Sequence, residues 1–154
     1  MTNSWDDQAD EAGDALTRGD RDAASRAYER AAQAAEAASA LLDAGALYAM
    51  AAMHAPTDPE RRDGLRFCAQ LVFQDASDFD RASEVALIRS ADAEAAGNDL
   101  DARTLLGASI ALAGAFLDRA AYGAIASPID AIDLEETAVR VQVAARALHG
   151  QTDS

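Results

Sequence analysis

The chain has 154 residues, half of them apolar, with 27 acidic residues against 13 basic ones, every one an arginine, for a formal net charge of −14. That length suits one domain with a single core, and the apolar half excludes a disordered tail. The acidity argues against nucleic acid, whose binders are basic, and against anionic lipid.

Forty-one alanines with only three prolines and nine glycines point to helix. Seven helices and no strand are predicted. The first covers 5–18, capped by Asn3 or Ser4 and broken at Gly19-Asp20. Asp20 caps the second, to residue 38, which sets Ala23, Ala24, Ala27, Tyr28, Ala31 and Ala34 on one face. Ser39 opens the third, to residue 54, with a stripe of Leu42, Ala46, Ala49, Met50 and Met53. Then comes the clearest punctuation, Ala55-Pro56-Thr57-Asp58-Pro59. Asp58 is a good N-cap, and Pro59 falls at the first helical position, where its missing N–H costs nothing.

The fourth helix runs from there to 74 and buries Leu65, Cys68, Leu71 and Val72. A polar connection over 75–80 leads to the fifth, 81–96, which stops at Gly97-Asn98. The sixth, 100–123, is the most apolar. The seventh, 134–148, has an acidic start and a basic end that suit the helix dipole. Connections are short, so neighbouring helices should be antiparallel.

No run of ~18 apolar residues is present, so no membrane span is expected. The first residues lack the basic and apolar regions of a secretory signal, and the single cysteine, Cys68, cannot build a disulfide framework. A cytoplasmic protein is the expectation. The chain has no glycine-rich phosphate loop, Cys-x-x-Cys, His-Glu-x-x-His or Gly-x-Ser-x-Gly. No cofactor and no metal are expected, and a non-enzyme is favoured while catalysis stays open.

Small and bulky residues recur on alternate helices. From Gly19 the fifth, ninth and twelfth residues on are Ala24, Tyr28 and Ala31. From Pro59 they are Gly64, Cys68 and Leu71; from Gly97 they are Ala102, Leu106 and Ser109. A small residue lets two helices approach and a bulky one fills the hole behind it, as stacked hairpins require. The run from Gly19-Asp20 through Ala24, Tyr28 and Ala31 resembles the second half of a tetratricopeptide repeat. Leu41, Ala44, Gly45 and Tyr48 resemble the first helix of another. The first helices at 8–15 and 86–93 keep a small residue, Ala12 and Ser90, but lack the family's aromatics. The opening residues are 40 and 38 apart, against ~34 in the family.

The resemblance implies an all-α domain over 1–154. Three antiparallel hairpins would stack as a short superhelix: repeat 1 at 5–38, repeat 2 at 39–75 with an insertion, repeat 3 at 81–123. A capping helix at 132–149 and a tail at 150–154 complete it. A helical bundle without repeats is the alternative.

Few residues could carry chemistry. His54 could be a general base but is more simply a histidine at a helix end; His149 lies near the last residue. Cys68 would need a lowered pKa to act as a nucleophile, and a buried inert thiol is the simpler account. Glu135-Glu136 and Asp99 with Asp101 read as helix-start acids. Arg61, Arg62 and Arg66 form the one dense basic patch, able to meet a carboxylate or phosphate or to be a solvated face. Met50, Met53, Phe67, Phe73 and Phe79 could line an apolar groove or fill the core.

The resemblance implies a non-catalytic protein-interaction adaptor whose concave face takes a peptide or partner helix. The matching positions are Asp6, Ala9, Gly13, Leu42, Ala46, Met50, Leu87, Ala91 and Glu94. This apolar and acidic set calls for a basic or apolar partner, neither nucleic acid nor membrane, and a homodimer is possible. The alternative is a small helical protein whose apolar pocket binds or transforms a hydrophobic metabolite, with 55–58 as a lid. An acidic mimic of nucleic acid is a third, weaker reading, since the acids are interspersed with apolar positions.

Overall fold

A computed structural model describes residues 4–55 and 57–116. Among the described residues there are six helices and no strand: α1 (Ser4–Thr17), α2 (Arg21–Ala37), α3 (Leu41–Met53), α4 (Pro59–Asp75), α5 (Phe79–Ala95) and α6 (Asp99–Phe116). None of these helices is long and apolar enough to cross a membrane. The helix predicted over 134–148, the cap at 132–149 and the end of the predicted sixth helix lie outside the described residues.

Local chemistry sets the helix ends. Asp20, Asp58 and Asp78 cap α2, α4 and α5, each carboxylate accepting the backbone N–H three residues on, at 3.1, 3.1 and 3.3 Å. Each cap satisfies one of the donors that a helix start leaves without a partner. Gly19 (φ 77) and Gly97 (φ 80) close α1 and α5 in the left-handed conformation, as the breaks predict.

Ser39 was expected to open the third helix. It closes the second instead, with a left-handed backbone (φ 59), so that the Ala40 N–H returns to the Ala35 carbonyl at 2.9 Å. Ser77 (φ 59) takes the same role after α4. The expected connection over 75–80 is therefore only a short turn, since α4 ends at Asp75 and α5 begins at Phe79.

The chain divides into two compact units, Met1–Ser77 and Asp78–Ser154. In the first, α1 packs on α2, α2 on α3 and α3 on α4; in the second, α5 packs on α6. Of the predicted face of α2, Ala24, Ala27, Tyr28 and Ala31 are buried and Ala23 and Ala34 half-buried, while Ser25, Ala32 and Ala35 complete the buried side. The register of α4 needs correction. Leu65, Ala69 and Val72 face inward, whereas Cys68 is half-buried and Leu71 is 43% exposed. Leu65 and Val72 are buried as the spacing predicts, and contact with α3 buries Ala69 rather than Cys68 and Leu71.

Displacing the chain by 58 residues carries α2 (Arg21–Ala37) onto α5 (Phe79–Ala95) and the start of α3 onto the start of α6. Over 20–53 against 78–111, 12 of 34 residues are identical without a gap, and seven of the 12 are not alanine. Buried polar contacts repeat too. Ser25 Oγ donates to the Ala51 carbonyl at 2.7 Å, and Ser83 Oγ to the Ser109 carbonyl at 2.8 Å.

Gly45, the glycine of the tetratricopeptide resemblance, faces Phe73 of α4. A Cβ on it would fall 2.5 Å from the edge of the Phe73 ring, which is itself buried. Gly45→Ala should therefore destabilise the first unit by ~1–3 kcal/mol through overpacking, despite alanine's better helix propensity. Gly13→Ala, with nothing within 4 Å of its Cβ, should instead raise stability by roughly 0.5–1 kcal/mol. Urea unfolding of the two variants reads the contrast.

Candidate functional site

The described polar chemistry of the first unit concentrates where the end of α3 meets α2 and the start of α4. A helix end leaves carbonyls without intrahelical partners. At the end of α3 the His54 N–H bonds back to Met50 and the Ala55 N–H to Ala52. The Ala51 carbonyl accepts from Ser25 Oγ at 2.7 Å, and the Met53 carbonyl from Arg21 Nη2 at 2.9 Å. Two side chains of α2 thus complete the cap of α3.

Arg61, in the first turn of α4, joins the same knot. One guanidinium nitrogen donates to Ser25 Oγ and the other lies 3.4 Å from Glu29 Oε1. Their side chains are only 17% and 27% exposed, so this pair is less screened than a surface one. Beside it, the His54 ring stacks on Tyr28 with centroids 5.8 Å apart and planes 18° from parallel. Burial, and then the nearby Arg21 charge, lowers the His54 pKa. Its Nδ1 is buried without a hydrogen-bond partner.

Further along the unit, the Tyr48 hydroxyl donates to Glu36 Oε1 at 2.8 Å. Burial and then this bond hold the phenol well above its ordinary value. Burial, and then the negative charges of Glu36 and Glu29, also push the Cys68 thiol up. A thiol kept protonated at neutral pH is a poor nucleophile, so these surroundings suit the inert reading of Cys68.

The basic patch is not an open anion site. Arg61 turns inward to Ser25 and Glu29, and Arg62 and Arg66 are half-buried with partners of their own. The aromatic and methionine set divides as well. Phe73 is core, while Met53 is 59% and Phe67 44% exposed; Met50 is half-buried, and Phe79 belongs to the second unit. Asp101 is paired with Asn98, its carboxylate accepting from Nδ2 at 2.6 Å and its backbone N–H donating to Oδ1 at 3.3 Å. Among the described residues no group of three or more His, Cys, Asp or Glu could hold a metal ion. Glu135, Glu136 and His149 lie outside them.

The nine expected groove residues all lie outside the core. Asp6 is exposed and Ala9 and Gly13 are half-buried on α1. On α3, Leu42 is 50% exposed, Ala46 is exposed and Met50 half-buried. On α5, Leu87 is half-buried and Ala91 and Glu94 are exposed. Leu42, Ala46, Met50 and Met53 follow helical spacing, so α3 carries an outward apolar stripe. The knot of Ser25, Arg61 and Glu29 was not foreseen. Its one sequence signal was Ser25 among alanines, recurring as Ser83 at the 58-residue displacement.

No protein-family model matches the chain, and neither does any curated protein or solved structure.

The knot makes a quantitative demand. Ser25→Ala removes the donor to Ala51 and the acceptor for Arg61 together, so it should cost ~1–3 kcal/mol. Arg61→Ala and the double variant close a cycle whose coupling should be ~0.5–3 kcal/mol. Additive losses in urea unfolding would show that the two side chains act independently.

Proposed function

We propose that this chain is a non-catalytic protein–protein interaction adaptor of tetratricopeptide-like type, which takes a peptide or partner helix along outward faces of its helices. The observation that carries the proposal is the stripe on α3. Leu42, Ala46, Met50 and Met53 run along one face, with Leu42 50% and Met53 59% exposed. Scattered surface apolar residues need no explanation, but a continuous stripe along a helix is the feature that partner helices bind. The chain's −14 charge favours an occupant that is apolar with basic flanks, and disfavours nucleic acid. Hairpin packing and the Gly45–Phe73 approach support the likeness to tetratricopeptide proteins. The 58-residue displacement spans three helices where that family's unit has two, so the likeness concerns the hairpin more than its period.

Leu42→Asp tests the proposal with little risk to the fold, because the position is exposed and an acid in the first turn of a helix is favourable. The wild-type chain should recover a specific protein from its native lysate. Recovery should weaken with salt as charges beyond ~8 Å are screened. The variant should lose most of it at unchanged melting temperature. Equal recovery by the variant, or no specific partner at either salt, overturns the proposal.

A further inference from the structure

We propose that His54 is an acid-sensitive latch: its neutral ring holds the end of α3 against α2, and the protonated ring releases that corner. The proposal stands on where the ring sits and does not depend on the partner reading. His54 is the C-cap of α3 and stacks on Tyr28 of α2 at 5.8 Å and 18°. The residue before it, Met53, gives its carbonyl to Arg21 Nη2 at 2.9 Å. A guanidinium is thus fixed next to the ring.

Protonation changes two things at this place. It makes both ring nitrogens donors, including Nδ1, a buried atom with no hydrogen-bond partner, and a buried donor left unsatisfied is costly. It also adds a second positive charge beside Arg21. Stacking of the imidazolium on Tyr28 would offset part of this, since cation–π attraction is real but modest where solvent is near. Other charged groups of α2 and α4 have hydrogen-bond partners of their own. Asp58 accepts the Arg61 backbone N–H, and the Arg61 guanidinium is held by Ser25 and Glu29. Burial first and Arg21 second disfavour the charged ring, in the same direction as the geometry.

The second unit supplies an internal comparison. At the 58-residue displacement Asp20, Ala24 and Ser25 keep their identity as Asp78, Ala82 and Ser83, whereas Arg21, Tyr28 and His54 become Phe79, Ala86 and Leu112. The same stretch of helical pair can therefore carry apolar residues at all three positions. Among the described residues the histidine ring beside an arginine lies in the first unit, and histidine is the side chain whose charge changes near neutral pH.

The sign follows from linkage. The unfolded chain protonates His54 near its ordinary value of ~6.5, and the folded chain does so only at lower pH. The stabilising contribution is complete above ~6.5 and is lost as pH falls through the folded value. The folding equilibrium should drop by up to about tenfold for each pH unit in that window.

The test uses the full chain, His54→Phe, His54→Leu and His149→Gln. Urea midpoints are compared at pH 7.5 and 5.5, and the histidine ring resonances are followed by NMR over the same range. The wild type and His149→Gln should lose midpoint at pH 5.5, with the His54 and Ala55 amides less protected relative to their intrinsic exchange rates at each pH. His54→Phe and His54→Leu should keep most of theirs. Equal losses in all four chains overturn the latch. So does a His54 ring that titrates at or above ~6.5 in the folded wild type, a readout that decides the matter even if both His54 variants unfold.

Discussion

The first unit depends on how the end of α3 is closed. Helix carbonyls that lose their intrahelical partners must find others or be exposed to water. Here two of them are taken by side chains that α2 projects, Ser25 to Ala51 and Arg21 to Met53. Because Ser25 also receives Arg61, the same hydroxyl ties the start of α4 into the arrangement. Three helices thus share one hydrogen-bonded point, and the placement of His54 against Tyr28 follows from it. Ser83 and Ser109 bond reciprocally in the second unit, each hydroxyl donating to the other residue's carbonyl at 2.8 and 3.0 Å. A similar tie is made there by serines alone.

Such polar ties matter because the core between the helices is thin. Of the 22 buried apolar residues described, 15 are alanine, and the largest fully buried side chains are serines 25, 83 and 109. Alanine loses little side-chain entropy on burial but removes little apolar surface from water. Helices packed on alanine come close together, so a misplaced methyl group is felt, as Gly45 against Phe73 shows. They also gain little that is specific to one register. Buried hydroxyls with single correct partners, aspartate caps and the few bulky residues, Tyr28, Tyr48 and Phe73, supply that specificity.

Much of this was legible in the residues. The breaks at Gly19 and Gly97, the caps Asp20 and Asp58, Pro59 at a first helical position and the buried face of α2 all follow from local chemistry. Ser39 was misread because serine is both a good N-cap and, less often, a left-handed closing residue, and neighbouring residues alone do not separate the two roles. By sequence Arg61 reads as part of a basic patch, anion-binding or solvated, because its partners, Ser25 and Glu29, lie 36 and 32 residues away. Cys68 and Leu71 were placed in the core because helical spacing tolerates a rotation of one row. Contact with α3 buries Ala69 in their place, beside Leu65 and Val72, which the spacing places correctly.

The sequence by itself determined the helical class, the order of the elements and the chemistry of their ends, because caps, breaks and helical faces depend on residues within about four of one another. It also set the acidity that limits what this surface can meet. Only the tertiary structure decided which polar groups close α3, which row of α4 faces inward and where an ionisable ring is held without a partner. Those outcomes rest on contacts 26 to 36 residues apart, and in an alanine-rich chain many registers bury nearly the same apolar area, so the pattern of apolar residues does not distinguish them.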